Sequence, residues 1–243
     1  MGHSITEDKS ILHIKQKKNH WLITSSELQE HITENWFNQE YWLNQGRLLG
    51  ANSGRGTAWV IKSEWGKWVL RHYLRGGLYA KLNRDHYLWL GLNKTRATKE
   101  YELLLHLQKL NLPSPKPIAA LVIKKGLSYK NDLIMEHINH DLTFAEHLKQ
   151  DKQNTNIWQN IGKTIAQYHQ HGIYHADLNA HNILIAKDKV HVIDFDKGEI
   201  RTPQPSWQQK NMLRLRRSIE KITQKSCDKE LNTYWQILID SYE

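Results

Sequence analysis

The chain has 243 residues, 39% of them hydrophobic, and its single cysteine, Cys227, excludes a disulfide-stapled secreted scaffold. The 34 Lys and Arg outnumber the 25 Asp and Glu, and the formal net charge of +9 favours an anionic partner such as nucleic acid, anionic lipid or a phosphorylated molecule. The longest apolar run, 118–123, is far shorter than the roughly 20 residues of a membrane-spanning helix, and the first ten residues lack the apolar core of a secretory signal.

The first part of the chain is rich in strand signals. Short runs at 47–49, 57–62 and 67–72 are separated by glycine-containing turns, and the last two predict a hairpin around residues 63–66. Apolar residues recur at helical spacing over 97–110, and Pro113 follows them. Two further runs, 118–123 and 132–138, complete a predicted sheet that is mostly antiparallel.

After residue 138 the pattern becomes helical. The sequence predicts a short helix at 143–150, a long helix at 154–171, two short strands at 183–185 and 190–193, and helices at 206–225 and 228–241. We therefore expect an α+β fold with a β-rich N-terminal lobe, residues 1–138 with an N-terminal extension, and a mostly helical C-terminal lobe, residues 139–243.

The clearest chemical signal is the segment from His175 to Asn182, which is followed twelve residues later by Asp194. A hairpin of the two short strands brings Asp194 beside Asn182, and a carboxylate with an amide oxygen suits Mg²⁺. Asp177 then remains to accept a proton from an attacking hydroxyl, which is the arrangement that phosphoryl transfer needs. His175 is expected to bond to the backbone near the loop.

The spacing H-x-D-x-x-x-x-N followed by D-F-x resembles the catalytic and magnesium-binding loops of the bilobal protein-kinase-like fold. The resemblance implies a glycine-rich phosphate loop, and Gly54, Arg55 and Gly56 lie where it should be. A strand lysine is usual next, but Arg71 occupies the matching position. The remaining ATP-binding candidates are Glu100 as the partner of Arg71, with Glu102 as the second choice, and Glu136. Asp196 replaces the glycine usual after Asp-Phe, and no activation segment is recognisable, so a conventional protein kinase is not expected.

Several longer stretches resemble the 3-deoxy-D-manno-octulosonic acid (Kdo) kinases of Gram-negative bacteria, in which an arginine also stands at the position of Arg71. They are residues 71–78, 85–89, 110–117, 174–179 and 193–196, with Arg201, Trp207, Asn211 and 213–218. This resemblance implies transfer of the γ-phosphate of ATP, with Mg²⁺, to the 4-hydroxyl of the Kdo sugar on a lipid A precursor in lipopolysaccharide core biosynthesis. It also implies a cytoplasmic protein held peripherally on the cytoplasmic face of the inner membrane.

The predictions of how the acceptor binds rest on the basic residues. Basic and aromatic residues alternate over 71–96, which fits an anionic membrane surface or a solvated basic surface. The basic helix at 209–225 could face lipid, bind acceptor phosphate or face solvent. We expect acceptor anions to contact four arginines: Arg75, Arg214, Arg216 and Arg217.

Two other classes of function remain open. One is a small atypical serine/threonine kinase or an antibiotic kinase, which share the His-x-Asp and Ile-Asp-Phe patterns. The other is a pseudokinase adaptor without catalysis, which Arg71 and Asp196 would suit but which the joint presence of Asp177, Asn182 and Asp194 disfavours. No motif for reading nucleic acid is recognisable in the sequence, and no nucleic acid partner is expected.

Overall fold

The computed structural model describes residues 13–51, 58–74, 85–150, 154–187, 189–224 and 229–243. These residues form two compact units. The first unit holds the described residues up to Tyr101 together with Pro117–His137, and the second holds Glu102–Lys116 together with the described residues from Ile138 onward. The first unit is rich in strands and the second is mostly helical, which confirms the predicted α+β class.

The first unit is built on an antiparallel sheet. Its strands are β1 (His13–Lys17), β2 (His20–Thr24), β3 (Leu48–Ala51), β4 (Ala58–Ser63), β5 (Gly66–His72), β6 (Tyr87–Leu88), β7 (Pro117–Lys125) and β8 (Ser128–Glu136). Across the described part of the chain the strand order is β1-β2-β7-β8-β5-β4-β3, and β6 pairs with β8. The β4–β5 and β7–β8 hairpins both close through two-residue turns.

Tryptophan side chains form much of the core on one face of this sheet. Trp36 packs with its ring centroid 5.2 Å from that of Trp68 on β5, and the indole N–H of Trp42 donates to the carbonyl of Trp36 at 2.7 Å. Trp42 lies in the short helix α1 (Gln39–Asn44). Large aromatic side chains bury much apolar area, so these three residues hold the segment before β3 against the sheet.

Helix α2 (Arg96–Lys109) begins against strand β8. The backbone N–H of Ala97 donates to the side-chain oxygen of Asn131 at 2.8 Å, and the N–H of Arg96 donates to the hydroxyl of Tyr129 at 3.1 Å. The first N–H groups of a helix have no partner within the helix, so these side chains fix where α2 starts. They thereby set the position of Glu100, one turn further along.

The second unit contains four of the helices and five short strands within the described residues. The helices are α3 (Phe144–Lys149), α4 (Thr155–Gln170), α5 (Pro205–Thr223) and α6 (Lys229–Tyr242), and the strands are β9 (Leu142–Thr143), β10 (Ile173–Tyr174), β11 (Ile183–Ala186), β12 (Lys189–Val192) and β13 (Glu199–Ile200). Strand β11 pairs with both β12 and β9, and β10 pairs with β13.

Helix α4 is the buried centre of this unit. Its apolar stripe includes Ile161 and Ile165, which are almost fully buried, as the helical spacing in the sequence predicted. A Cβ at Gly162 would lie 2.2 Å from the carbonyl oxygen of Leu238, so glycine is what lets the backbones of α4 and α6 approach each other. Gly172 follows α4 with a φ of +74°, which leads the chain into β10.

Each predicted element from residue 47 onward is present, with shifted ends in one hairpin: β7 ends two residues after the predicted strand, and β8 runs from Ser128 to Glu136 against the predicted 132–138. The short strands β6, β9, β10 and β13 were not predicted. The strands β1 and β2 and helix α1 were not predicted, and β1–β2 extends the sheet beside β7. No helix in the described ranges is long and apolar enough to cross a lipid bilayer.

Candidate active site

His175 organises the loop that joins β10 to the short helical turn before β11. Its ring is buried, its Nε2 donates to the carbonyl of Ile193 at 2.9 Å, and its Nδ1 accepts the backbone N–H of Asp177 at 3.2 Å. Burial lowers the pKa of His175, in agreement with the neutral imidazole that these two bonds require. The histidine therefore ties the backbone of Asp177 to the strand end that precedes Asp194, which is the scaffold role expected of it.

Asp177 is presented to solvent on a backbone that is held from several sides. The amides of Asn179 and Asn182 both donate to its carbonyl oxygen at 3.0 Å, and the amide of Asn179 also reaches its Oδ2 at 3.2 Å. The side chain of Asp177 keeps 55% of its surface exposed. A carboxylate that is ordered and yet accessible can accept a proton from a bound hydroxyl group.

Asn182 and Asp194 lie at neighbouring strand ends, where the sequence predicted them. Ile183 pairs with Val192 in the β11–β12 hairpin, and the N–H of Ile193 donates to the carbonyl of Asn182 at 3.0 Å. Asp194 has a φ of +65° in the left-handed region, which turns the chain sharply after β12. Phe195 then packs edge-on against His175 at 4.9 Å between ring centroids, so the Asp-Phe pair is anchored in the core.

Helix α5 holds the same loop through three side chains on one face. Asn211 accepts the N–H of His175 at 3.3 Å and donates to its carbonyl at 3.1 Å. Arg214 donates to Oδ1 of Asp177 at 2.8 Å, and the hydroxyl of Ser218 accepts the N–H of Ala180 at 3.2 Å. Positions 211, 214 and 218 recur at helical spacing, so one helix sets the position of the whole loop.

The residues at this site suit a Mg²⁺ ion that is bound partly by water and substrate. They do not suit an ion whose ligands all come from the protein. Within the described ranges, no group of three or more His, Cys, Asp and Glu side chains gathers around one point. Mg²⁺ usually takes one or two carboxylates, together with water and phosphate oxygens of the substrate. The amide nitrogen of Asn182 donates to the carbonyl oxygen of Asp177, so the amide oxygen is the atom of this side chain that is suited to ligate a cation.

A second cluster of charges lies in the first unit, around Arg71 on β5. Its Nη1 donates to the two carboxylate oxygens of Glu100 at 3.0 and 3.3 Å, and the hydroxyl of Tyr73 donates to the same carboxylate at 2.5 Å. Glu100 is almost fully buried, whereas Arg71 retains 20% exposure of its side chain. Burial raises the pKa of Tyr73 well above its usual value, so its hydroxyl stays a donor. The structure thus pairs Arg71 with Glu100, and Glu102 lies exposed on the nearly opposite face of the helix.

The other described site residues that the sequence predicted lie on β8 and on α5. Glu136 is exposed at the end of β8, opposite Trp68 in the register of the sheet. Arg217 is exposed on α5. Arg216 donates to Glu220 on α5 at 2.8 Å and to Asn232 on α6 at 2.6 Å, and its side chain is only 12% exposed. Four predicted residues lie outside the described residues: Gly54, Arg55, Gly56 and Arg75.

Sequence reasoning missed the roles of Asn211 and Ser218. Asn211 is 2% exposed and lies in line with the buried Trp207 and Leu215 on α5. A polar residue inside the apolar stripe of a helix needs a hydrogen-bond partner, which is the signal that could have identified it. Ser218 gives no such signal, because a serine on a polar helix face is ordinary.

Comparisons with known proteins agree with one another. Residues 39–234 match the model of the lipopolysaccharide kinase (Kdo/WaaP) family. A 3-deoxy-D-manno-octulosonic acid kinase of Stenotrophomonas maltophilia is 42% identical over 187 residues, covering 76% of this chain and 74% of the relative. One of Vibrio parahaemolyticus is 41% identical over 196 residues, covering 80% and 82%. A solved structure of WaaP in complex with acyl carrier protein covers 79% of each chain with a TM-score of 0.52 at 13% identity, a likeness of fold alone.

Proposed function

We propose a substrate and a mechanism for this chain, which belongs to the lipopolysaccharide kinase (Kdo/WaaP) family and is an ATP-dependent phosphotransferase of lipopolysaccharide core biosynthesis. The acceptor is the 4-hydroxyl of the Kdo sugar on a lipid A precursor, and the donor is the γ-phosphate of ATP. Relatives named Kdo kinase support this acceptor. The observation that carries the mechanism is the exposed carboxylate of Asp177, held on an ordered loop next to Asn182 and Asp194.

Asp177 acts as the base in the transfer step. Its carboxylate accepts the proton of the acceptor hydroxyl while that oxygen forms a bond to the γ-phosphorus. The bond between the γ-phosphorus and the oxygen that bridges to the β-phosphate breaks, and ADP leaves with the electron pair. Because positioning supplies much of the rate in such transfers, the bonds that His175, Asn179 and Asn182 make to residue 177 are part of the mechanism.

We assign Asn182 and Asp194 as the protein ligands of Mg²⁺. When bound, the ion neutralises phosphate charge that develops during transfer. In the first unit we assign Arg71 to the nucleotide phosphates, because its guanidinium is permanently charged and forked and is oriented by Glu100. Glu136 is assigned to the nucleotide on the resemblance alone. The same holds for the glycine-rich segment with Gly54, Arg55 and Gly56.

Basic side chains bind the anionic groups of the acceptor in this proposal. Arg214 and Arg217 are exposed on α5, and Arg75 is included from its place in the sequence. Arg216 is assigned to the packing of α5 against α6, because Glu220 and Asn232 accept hydrogen bonds from its guanidinium and its side chain is only 12% exposed.

We further propose that the protein attaches peripherally to the cytoplasmic face of the inner membrane through the tip of the first unit. Leu88, Leu90 and Leu127 are 62%, 70% and 85% exposed, and the N–H of Trp89 donates to the carbonyl of Leu127 at 2.9 Å, which joins the two segments. Exposed apolar side chains with basic neighbours suit an anionic bilayer surface. The lysines at the two neighbouring hairpin tips are Lys17, Lys18, Lys124 and Lys125.

The test of the catalytic proposal is transfer of labelled phosphate from ATP to a Kdo-bearing lipid A precursor, with and without Mg²⁺. We expect labelled glycolipid from wild type and from Asp240→Asn, an exposed aspartate on α6, and a loss of at least about 10³-fold with Asp177→Asn. A protein and an aminoglycoside serve as alternative acceptors. Label found only on one of these would contradict the Kdo acceptor, and full activity of Asp177→Asn would contradict its role as the base.

The membrane proposal is tested by flotation with vesicles of phosphatidylglycerol and of phosphatidylcholine. We expect the wild type to float only with the anionic vesicles and Leu127→Ser to float several-fold less. Leu43→Ser removes an apolar side chain that is 58% exposed elsewhere in the same unit, and it should float like the wild type. Equal flotation of both variants would refute the assignment of this tip.

A further inference from the structure

The carboxylate proposed as the base has both of its oxygens engaged within the second unit. Arg214 donates to Oδ1 of Asp177 at 2.8 Å, and Asn179 donates to Oδ2 at 3.2 Å. The guanidinium occupies one lone-pair direction of Oδ1 and crowds the approach of an acceptor hydroxyl to that oxygen. Release of the contact with Arg214 opens Oδ1 fully to the acceptor.

The exposure of this ion pair makes such a change easy. The side chain of Arg214 is 48% exposed and that of Asp177 is 55% exposed. Ion pairs open to water contribute little to stability, so another anion can compete for the guanidinium. Arg214 presents a planar fork of donors, and the 2.8 Å contact to Asp177 uses Nη1. A carboxylate that meets two N–H groups of the fork side by side makes a stronger contact than one oxygen does.

The helix itself does not have to move during the exchange. Asn211 and Ser218, on the same face of α5, hold the loop one turn before and one turn after Arg214. Rotation of the Arg214 side chain therefore carries the guanidinium from Asp177 to a ligand, while the carboxylate stays in place.

We propose that Arg214 is a specificity-determining residue that exchanges Asp177 for the carboxylate of the acceptor sugar acid. The exchange frees Oδ1 of Asp177 for the hydroxyl proton, so an acceptor is phosphorylated efficiently only if its carboxylate lies close to the accepting hydroxyl. Two hydrogen bonds of about 2.8 Å, one from Arg214 to the acceptor carboxylate and one from the acceptor hydroxyl to Asp177, set how close these two groups of the acceptor must be. This inference rests on the proposed function and adds to it a reason why the acceptor must be a sugar acid.

The experiment measures kcat/KM for the Kdo-bearing acceptor and for its carboxamide analogue, in which the acid is neutral and of similar size. We expect the wild type to prefer the acid by about 10- to 100-fold, the range for a hydrogen bond to a charged group. Arg214→Gln should reduce this preference to within about threefold, mainly through the acid acceptor, and Arg214→Lys should retain part of it because the charge remains without the fork.

Lys210→Gln is the matched control, since Lys210 is exposed one turn earlier on the same helix, and it should keep the preference of the wild type. A second measurement follows ATP hydrolysis without acceptor, which should rise several-fold in Arg214→Gln because water can then reach Oδ1 of Asp177. Unchanged preference for the acid in Arg214→Gln would overturn the inference while leaving the proposed function intact. Failure of the wild type to phosphorylate the Kdo acceptor would overturn both.

Discussion

Replacing Asn211 with leucine removes its two hydrogen bonds to the backbone of His175 and a longer one, 3.4 Å, to Nε2 of His169, and it changes the shape of the side chain little. The N–H and the carbonyl of His175 lose their hydrogen bonds to residue 211, which measure 3.3 and 3.1 Å. The lost bonds are buried, since the side chain of residue 211 is only 2% exposed. Each orphaned buried group costs about 1–3 kcal/mol. The added apolar burial of leucine offsets about 1 kcal/mol of this. The expected loss in the free energy of unfolding is therefore about 3 kcal/mol.

The assay is urea unfolding followed by tryptophan fluorescence, together with the kcat for phosphate transfer. Because the same bonds hold the loop that carries Asp177, kcat should fall at least about 10-fold even where the variant is fully folded. Gln209→Leu makes the same change of polarity at an exposed position of α5 and should stay within about 0.5 kcal/mol of the wild type. An Asn211→Leu variant as stable as that control would refute the reasoning.

Three further outcomes follow from burial and packing. Burial lowers the pKa of His169 to about 4, so about 3 kcal/mol of stability that is present above pH 6.5 is lost as the pH falls toward 4, because the unfolded chain takes up the proton first. An acid titration of His169→Gln should lack that part of the slope, and an unchanged slope would count against it. Gly162→Ala should cost about 2 kcal/mol in thermal unfolding, since its Cβ would meet the carbonyl oxygen of Leu238 at 2.2 Å; a neutral result would mean that α4 and α6 separate easily. Glu100→Gln removes the buried carboxylate that accepts from Arg71 and should cost about 3 kcal/mol in urea unfolding. A cost below about 1 kcal/mol would contradict this.

The sequence was sufficient to predict most elements after residue 47, because their signals are local. The helix α4 has an unbroken apolar stripe, and the two hairpins have short turns between apolar runs. The β1–β2 hairpin has no such signal in its first strand, since β1 is almost wholly exposed and its residues, His-Ile-Lys-Gln-Lys, do not alternate. Strand β1 forms by pairing with β2, and β2 is held in the sheet by β7, which lies about a hundred residues away in the chain.

The candidate site shows the same difference between local signals, which the sequence reveals, and contacts between distant residues, which it does not. The closeness of Asn182 and Asp194 follows from a hairpin that the sequence predicts, whereas the bonds from α5 to the loop join residues 36 to 38 positions apart. No local pattern indicates that Arg214 points to Asp177 and that Arg216, two residues later, points to α6. On a helix, two positions apart means nearly opposite faces, so Arg214 and Arg216 contact different partners.

The distance in sequence between the loop and α5 also determines when the site forms during synthesis. At about 5–20 residues per second, a ribosome adds the 36 to 38 residues between the loop and its partners on α5 in about 2–8 s. Within that interval the chain gains Asn182 and then Asp194, but the helix that bonds to the backbone of His175 and Ala180 has not yet been made. Competence for phosphate transfer is therefore among the last properties that a growing chain acquires, and a chain released before Asn211 is made lacks it.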